Sequence, residues 1–107
     1  MALFGVYGEH TVDNCPLTNK ESRKVVLDGK AIFDDISTLQ EKYEINQIIG
    51  QYHSALEHTF LWVVDAKDPH LIQQAAIESG LARFNTVKIV PLSKYSDVVA
   101  KCEKIEC

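Results

Sequence analysis

The sequence predicts an α+β fold in which one antiparallel four-stranded sheet carries helices on a single face. Three observations predict it. Four short β-prone runs, residues 3–9, 48–52, 59–64 and 86–90, are bounded by turn residues. Between the first two, Val25, Gly29, Ile32, Ile36, Leu39 and Tyr43 recur at spacings of three and four, the stripe of an amphipathic helix. Between the last two, Asp68-Pro69 supplies an N-cap and a first-turn proline, and Gly80 stands where a helix-ending glycine belongs.

The chain has 107 residues, enough for one domain spanning 1–107, and 46% of them are hydrophobic, enough for a core. Its net charge is −4, and its 11 basic residues are scattered rather than run together, which argues against nucleic-acid binding and against docking on anionic membranes. Nothing approaches the length of a membrane-spanning apolar run. The first residues lack a basic stretch and reach Glu9 and His10 at once, so they read as a strand rather than a signal peptide. Three cysteines, Cys15, Cys102 and Cys107, are an odd number without C-x-x-C spacing, so a disulfide framework is not expected. A reduced, cytoplasmic protein is the expectation.

In chain order, the first strand alternates, with Phe4, Val6, Gly8 and His10 on one face and Leu3, Gly5, Tyr7 and Glu9 on the other. A turn-rich loop through Cys15-Pro16 follows. Thr18-x-x-Glu21 has the spacing of a capping box, and the helix it opens should run to about Tyr43, with Gly29 or Ser37-Thr38 as points where it could break. Gly29 falls on the buried stripe, which suggests close approach to the sheet. The second helix presents Ile72, Ala75, Ala76 and Ser79. Pro91 near the end of the fourth strand suits an edge position. Ser93 is placed to cap a last helix whose apolar positions are Tyr95, Val98, Val99, Cys102 and Ile105, with Cys102 in the core and Cys107 fraying.

The order β-α-β-β-α-β plus a C-terminal helix is the ferredoxin-like split βαβ pattern. In that topology the end of strand one, the end of strand two and the start of strand three share a sheet edge. His10, His53 and His58 then converge, with Cys15 close by. If His53 pairs with His58 across the hairpin, Gln51 faces Phe60 and Ile49 faces Trp62. The helices should cover the other, more aliphatic set (Ile48, Gly50, Tyr52, Thr59, Leu61, Val63). Gln51, Phe60 and Trp62 would line a cavity or subunit interface beneath the histidines, and a one-residue slip would reverse this. Tyr7 and Glu57 complete the expected lining, Glu57 being able to ligate or to orient a histidine. Imidazoles and a thiolate suit Ni, Zn, Cu or Fe far better than Mg or Ca. The same residues also have plainer readings: histidines at strand ends bond turn carbonyls, Cys15 beside Pro16 is an ordinary loop cysteine, His70 is solvated, and Phe60 and Trp62 are packing.

Tyr7-Gly-Glu-His10, Gly50-Gln-Tyr-His53, Phe60-Leu-Trp-Val-Val-Asp-Ala66, Asp68-Pro69 and Val87-Lys-Ile-Val-Pro91 together resemble the dimeric α+β-barrel superfamily. The pattern is most similar to its small stand-alone domains of unknown function, which include nickel-binding members. The resemblance implies a homodimer or higher homo-oligomer in which two sheets pack face to face. Cofactor-free monooxygenases, muconolactone-type isomerases and haem-dependent chlorite dismutases share the superfamily, but none of their catalytic sets matches here residue by residue. Three functions follow as expectations. One is a metal-binding protein with His10, His53 and His58 as ligands and Cys15 as a fourth. A second is a cofactor-free enzyme on a small aromatic or apolar substrate, with a histidine base and Gln51 or Tyr7 positioning an oxygen. The third is a dimeric interaction module.

Overall fold

The computed structural model describes residues 2–106, so Cys107 lies outside the described residues. Its elements are β1 (Ala2–Glu9), a 3-10 turn (Val12–Asn14), α1 (Lys20–Asp34), α2 (Ile36–Tyr43), β2 (Ile45–Ser54), β3 (Thr59–Ala66), α3 (Pro69–Glu78), α4 (Leu81–Phe84), β4 (Thr86–Leu92) and α5 (Tyr95–Glu106). The fold is α+β, with one four-stranded sheet in the order β2-β3-β1-β4 and every neighbouring pair antiparallel. Among the described residues no helix is long and apolar enough to cross a membrane.

The alternation of β1 places Phe4, Val6 and Gly8 towards the core, as the sequence predicts. β1 lies between β3 and β4, and β4 with Pro91 is an edge strand. The Asp68 side chain caps α3 at the His70 N–H, Pro69 occupies the first turn, and Gly80 takes a left-handed φ of 87° after the helix. Glycine is suited to that conformation because it has no Cβ to clash.

Three expectations about α1 and α2 need correction. The N-cap is Asn19 rather than Thr18, its side chain accepting from the Ser22 N–H at 2.9 Å, while the Thr18 hydroxyl donates to the Cys15 carbonyl. The helix divides at Asp35, not at Gly29 or Ser37-Thr38. The Asp35 carboxylate accepts from the Ser37 and Thr38 N–H groups and so begins a new helix. Gly29 does mark a close approach, but to α3 rather than to the sheet. A Cβ there would overlap the Ser79 carbonyl oxygen.

The hairpin register also differs from the expected one. Ser54 pairs with Thr59, His53 with Phe60 and Gln51 with Trp62, which leaves His58 in the turn. The His58 N–H bonds the Ser54 carbonyl at 2.9 Å, and His58 itself closes the turn in the left-handed region at φ 58°. Histidine is among the residues enriched there.

A two-residue slide preserves facing, so Gln51, His53, Phe60 and Trp62 still share a side. That side is the helix side, reversing the expected assignment. Phe60 and Val64 join Phe4, Val6, Leu39, Tyr43, Ile72 and Ala75 in the core. The larger side chains win because burying them removes more apolar surface from water. Gly8 makes room for them, since a Cβ there would overlap the Phe60 ring. A bulge between Ile48 and Gly50 turns Ile48 towards the core and leaves Ile49 52% exposed. The Trp62 ring meets Phe33 of α1 edge-on, with centroids 4.7 Å apart. Finally, α5 buries none of its residues, so Cys102 is exposed rather than in the core.

Candidate metal centre

Antiparallel pairing builds the site. Glu9, the last residue of β1, stands opposite Thr59 of β3 and Thr86 of β4. One step further, the same register sets His10 between His58 and Asn85. The His10 N–H continues the ladder by donating to the His58 carbonyl at 3.0 Å. On the other side, His10 Nδ1 lies 2.8 Å from Asn85 Oδ1.

That second bond determines the tautomer. Asn85 Nδ2 donates to the Leu81 carbonyl at 2.9 Å, so the amide is oriented with Oδ1 towards His10. A carbonyl oxygen only accepts, so Nδ1 carries the hydrogen and Nε2 keeps its lone pair. Nε2 is buried without a hydrogen-bond partner, and so is Nδ1 of His58. Leaving a buried polar atom unpaired costs about 1–3 kcal/mol, so one in each of two rings whose centroids are 5.5 Å apart calls for an explanation.

Cys15 supplies it. Its side chain is buried, and one donor atom from each of His10, Cys15 and His58 lies within 4.8 Å of the other two. The start of α1 holds the cysteine loop in place. The Thr18 and Asn19 N–H groups both donate to the Cys15 carbonyl, at 3.0 and 2.7 Å. Arg23 donates from Nε to the Pro16 carbonyl and from Nη2 to that of Leu17. This His/Cys/His cluster is able to hold a metal ion.

The remaining expected residues are distributed as follows. His53 is outside the three-donor group, but its ring stacks on His10 with centroids 5.7 Å apart and planes 7° from parallel. Desolvation first, and then repulsion from His10 and His58, lowers its pKa below the usual imidazole value. Gln51, Phe60 and Trp62 line a cleft of about 600 Å³ on the helix side, together with His10, His53 and Asn85. Tyr7 and Glu57 line a different hollow, shared with Tyr52 and Lys88. Glu57 is exposed in the turn, with its backbone N–H on the Ser54 hydroxyl at 3.2 Å. The group that orients His10 is therefore Asn85 rather than Glu57.

Sequence reasoning missed Asn85. The signal for it was its position one residue before β4, which pairs with β1, but using that signal required knowing the β1–β4 register. Comparison with protein-family models and with curated proteins finds no match, so the reading of this site rests on its own geometry.

Proposed function

We propose that this chain is a small metal-binding protein whose centre is His10, Cys15 and His58. The reading is carried by one donor atom from each of His10, Cys15 and His58 lying within 4.8 Å of the other two, with each imidazole burying an unpartnered nitrogen. Two imidazoles and a thiolate are borderline-to-soft donors and favour Zn, Ni, Cu or Fe over Mg or Ca. Asn85 acts as the outer partner that fixes the His10 ring, as carbonyl groups do for metal-bound histidines generally. Three protein donors leave a tetrahedral ion one ligand short, and sites of that kind bind exchangeable ligands. His53, stacked above His10, is a neighbour of the centre and not one of its three donors.

The strand order β2-β3-β1-β4 supports a ferredoxin-like arrangement. The sheet face opposite the core leaves Tyr7 and Tyr52 38% and 65% exposed, which supports a homodimer packed sheet to sheet. Light scattering of the wild type and of Tyr52→Glu tests the dimer, and two monomers would reject it.

The metal reading is tested by elemental analysis of untagged protein after incubation with each ion and desalting. Near-stoichiometric metal is expected in the wild type, with loss in His10→Ala/His58→Ala and in Cys15→Ser. Equal, substoichiometric metal in all three would sink the idea.

A further inference from the structure

The C-terminal helix has an apolar side with nothing against it. In α5, Tyr95, Val98, Val99, Cys102 and Ile105 recur at spacings of three and four, while Asp97, Lys101 and Lys104 fall on the opposite side. None of its residues is buried, and Tyr95 and Ile105 are each 81% exposed. Among the described residues no helix or strand packs along it, and Ser93-Lys94 alone joins it to β4. A helix of 12 residues is marginal in water by itself, so α5 needs a surface to hold it.

The sheet carries such a surface. Its face opposite the core presents Leu3, Tyr7, Tyr52, Leu61, Val63 and Val90, none of them buried. The total exposure of the chain agrees with two uncovered surfaces. It is 7336 Å², against about 6,000 Å² for a folded monomer of 12.0 kDa. The surplus of about 1,300 Å² exceeds the roughly 800 Å² that each partner contributes to a stable complex. The radius of gyration, 15.7 Å, is likewise larger than the about 13 Å of a compact chain of this length.

We infer that α5 is a dimerisation arm, its apolar stripe packing on the open sheet side of a second copy of this chain. Every copy carries one uncovered stripe and one uncovered face, so a two-fold pair covers all four at once. An unrelated partner would have to supply complements to both. The inference rests on the sheet-to-sheet dimer proposed above and adds the segment that each copy lends to the other.

Val98→Glu/Ile105→Glu tests the arm in the full chain. Both side chains are exposed, and Glu is a better helix former than Val or Ile, so neither the body nor the helix is compromised directly. Emission of Trp62, the only tryptophan, reports its contact with Phe33 and verifies the core. Light scattering over a dilution series should show a dimer in the wild type. In the double variant dissociation should strengthen by about a hundredfold or more, because both charges must leave water.

A pulse of N-ethylmaleimide, read by peptide mass spectrometry, follows Cys102 separately from the other two cysteines. Cys102 lies on the stripe, so it should react slowly in the dimeric wild type and faster on dilution or in Tyr52→Glu. A double variant that dimerises as tightly as the wild type overturns the arm and leaves the sheet-to-sheet dimer standing. Slow labelling of Cys102 in monomeric Tyr52→Glu overturns the arm as well, because α5 then lies on its own chain. A monomeric wild type overturns both readings.

Discussion

Asn85 Oδ1 accepts the His10 Nδ1 hydrogen at 2.8 Å, and this bond ties the end of β1 to the junction between α4 and β4. It fixes which nitrogen of His10 faces the centre, so removing it should release the ring rather than the fold. In Asn85→Ala the metal affinity is expected to fall by about 10–100-fold, the usual effect of losing an orienting partner. Asn85→Asp keeps the acceptor and should retain most of the affinity. Competition titrations with a chromophoric chelator, alongside circular dichroism to verify folding, provide the measurement. A folded Asn85→Ala protein with wild-type affinity would show that His10 needs no orienting partner.

His58 illustrates a conflict between stability and binding. Its left-handed φ of 58° costs a non-glycine residue about 1–2 kcal/mol, and its buried Nδ1 has no partner in the metal-free protein. His58→Gly relieves both and loses only about 0.4–1 kcal/mol through the greater freedom of the unfolded chain. Metal-free His58→Gly should therefore be more stable than metal-free wild type by on the order of 1 kcal/mol. Saturating metal should reverse the order, because an ion at a hundred times its Kd adds about 2.7 kcal/mol to the wild type alone. Urea unfolding with and without metal measures both. The idea fails if metal-free His58→Gly is the less stable protein.

The difference between what could and could not be read beforehand follows from the range of the interactions. The β1 alternation, the Asp68-Pro69 start of α3, the left-handed Gly80 and Pro91 on an edge strand are local features, and each is visible in a few residues. The break at Asp35 was hidden because the apolar stripe runs on through Ile36, Leu39 and Tyr43 although the backbone is recapped. Both faces of the hairpin are apolar, so alternation alone did not choose between them. The choice depended on the volumes of Phe60 and Trp62 and on the space left by Gly8, which lies in another strand. The convergence of His10, His58 and Cys15 at one sheet edge was legible from element order. The role of Asn85 was not, because it depends on the β1–β4 register.

Gly29 tests whether helix propensity or tertiary contact dominates at the α1–α3 crossing. In an isolated helix, Gly→Ala would gain about 1 kcal/mol. Here the added Cβ meets the Ser79 carbonyl oxygen, which is backbone and cannot rotate aside. Overpacking of this kind typically costs about 1–3 kcal/mol, so Gly29→Ala should be destabilising or at best neutral. Thermal unfolding of Gly29→Ala beside Ala31→Gly, an exposed position in the same helix, separates the two effects. A clear rise in stability for Gly29→Ala would mean that α1 and α3 can move apart.

The Tyr43 hydroxyl donates to Glu78 Oε1 at 2.7 Å and joins the end of α2 to the end of α3, with Lys42 Nζ 3.3 Å from the same oxygen. The hydrogen bond from Tyr43 is the main cause holding the Glu78 carboxyl below its usual 4.5, with Lys42 adding to it. Because the folded-state pKa is the lower one, the unfolded chain takes up this proton first as pH falls. The stability it contributes is therefore complete above about 4.5 and is lost on further acidification. Burial, and secondarily Glu78, raises the Tyr43 phenol above its usual 10.0. The unfolded phenol then ionises first, so stability is complete below about 10.0 and is lost as pH rises beyond it. Glu78→Gln should flatten the acid limb of the stability profile, and Tyr43→Phe should flatten both limbs, since it removes the phenol and also the hydrogen bond to Glu78. Urea midpoints across the pH range measure this. An unchanged alkaline limb in Tyr43→Phe would assign that limb to groups other than the buried Tyr43 phenol.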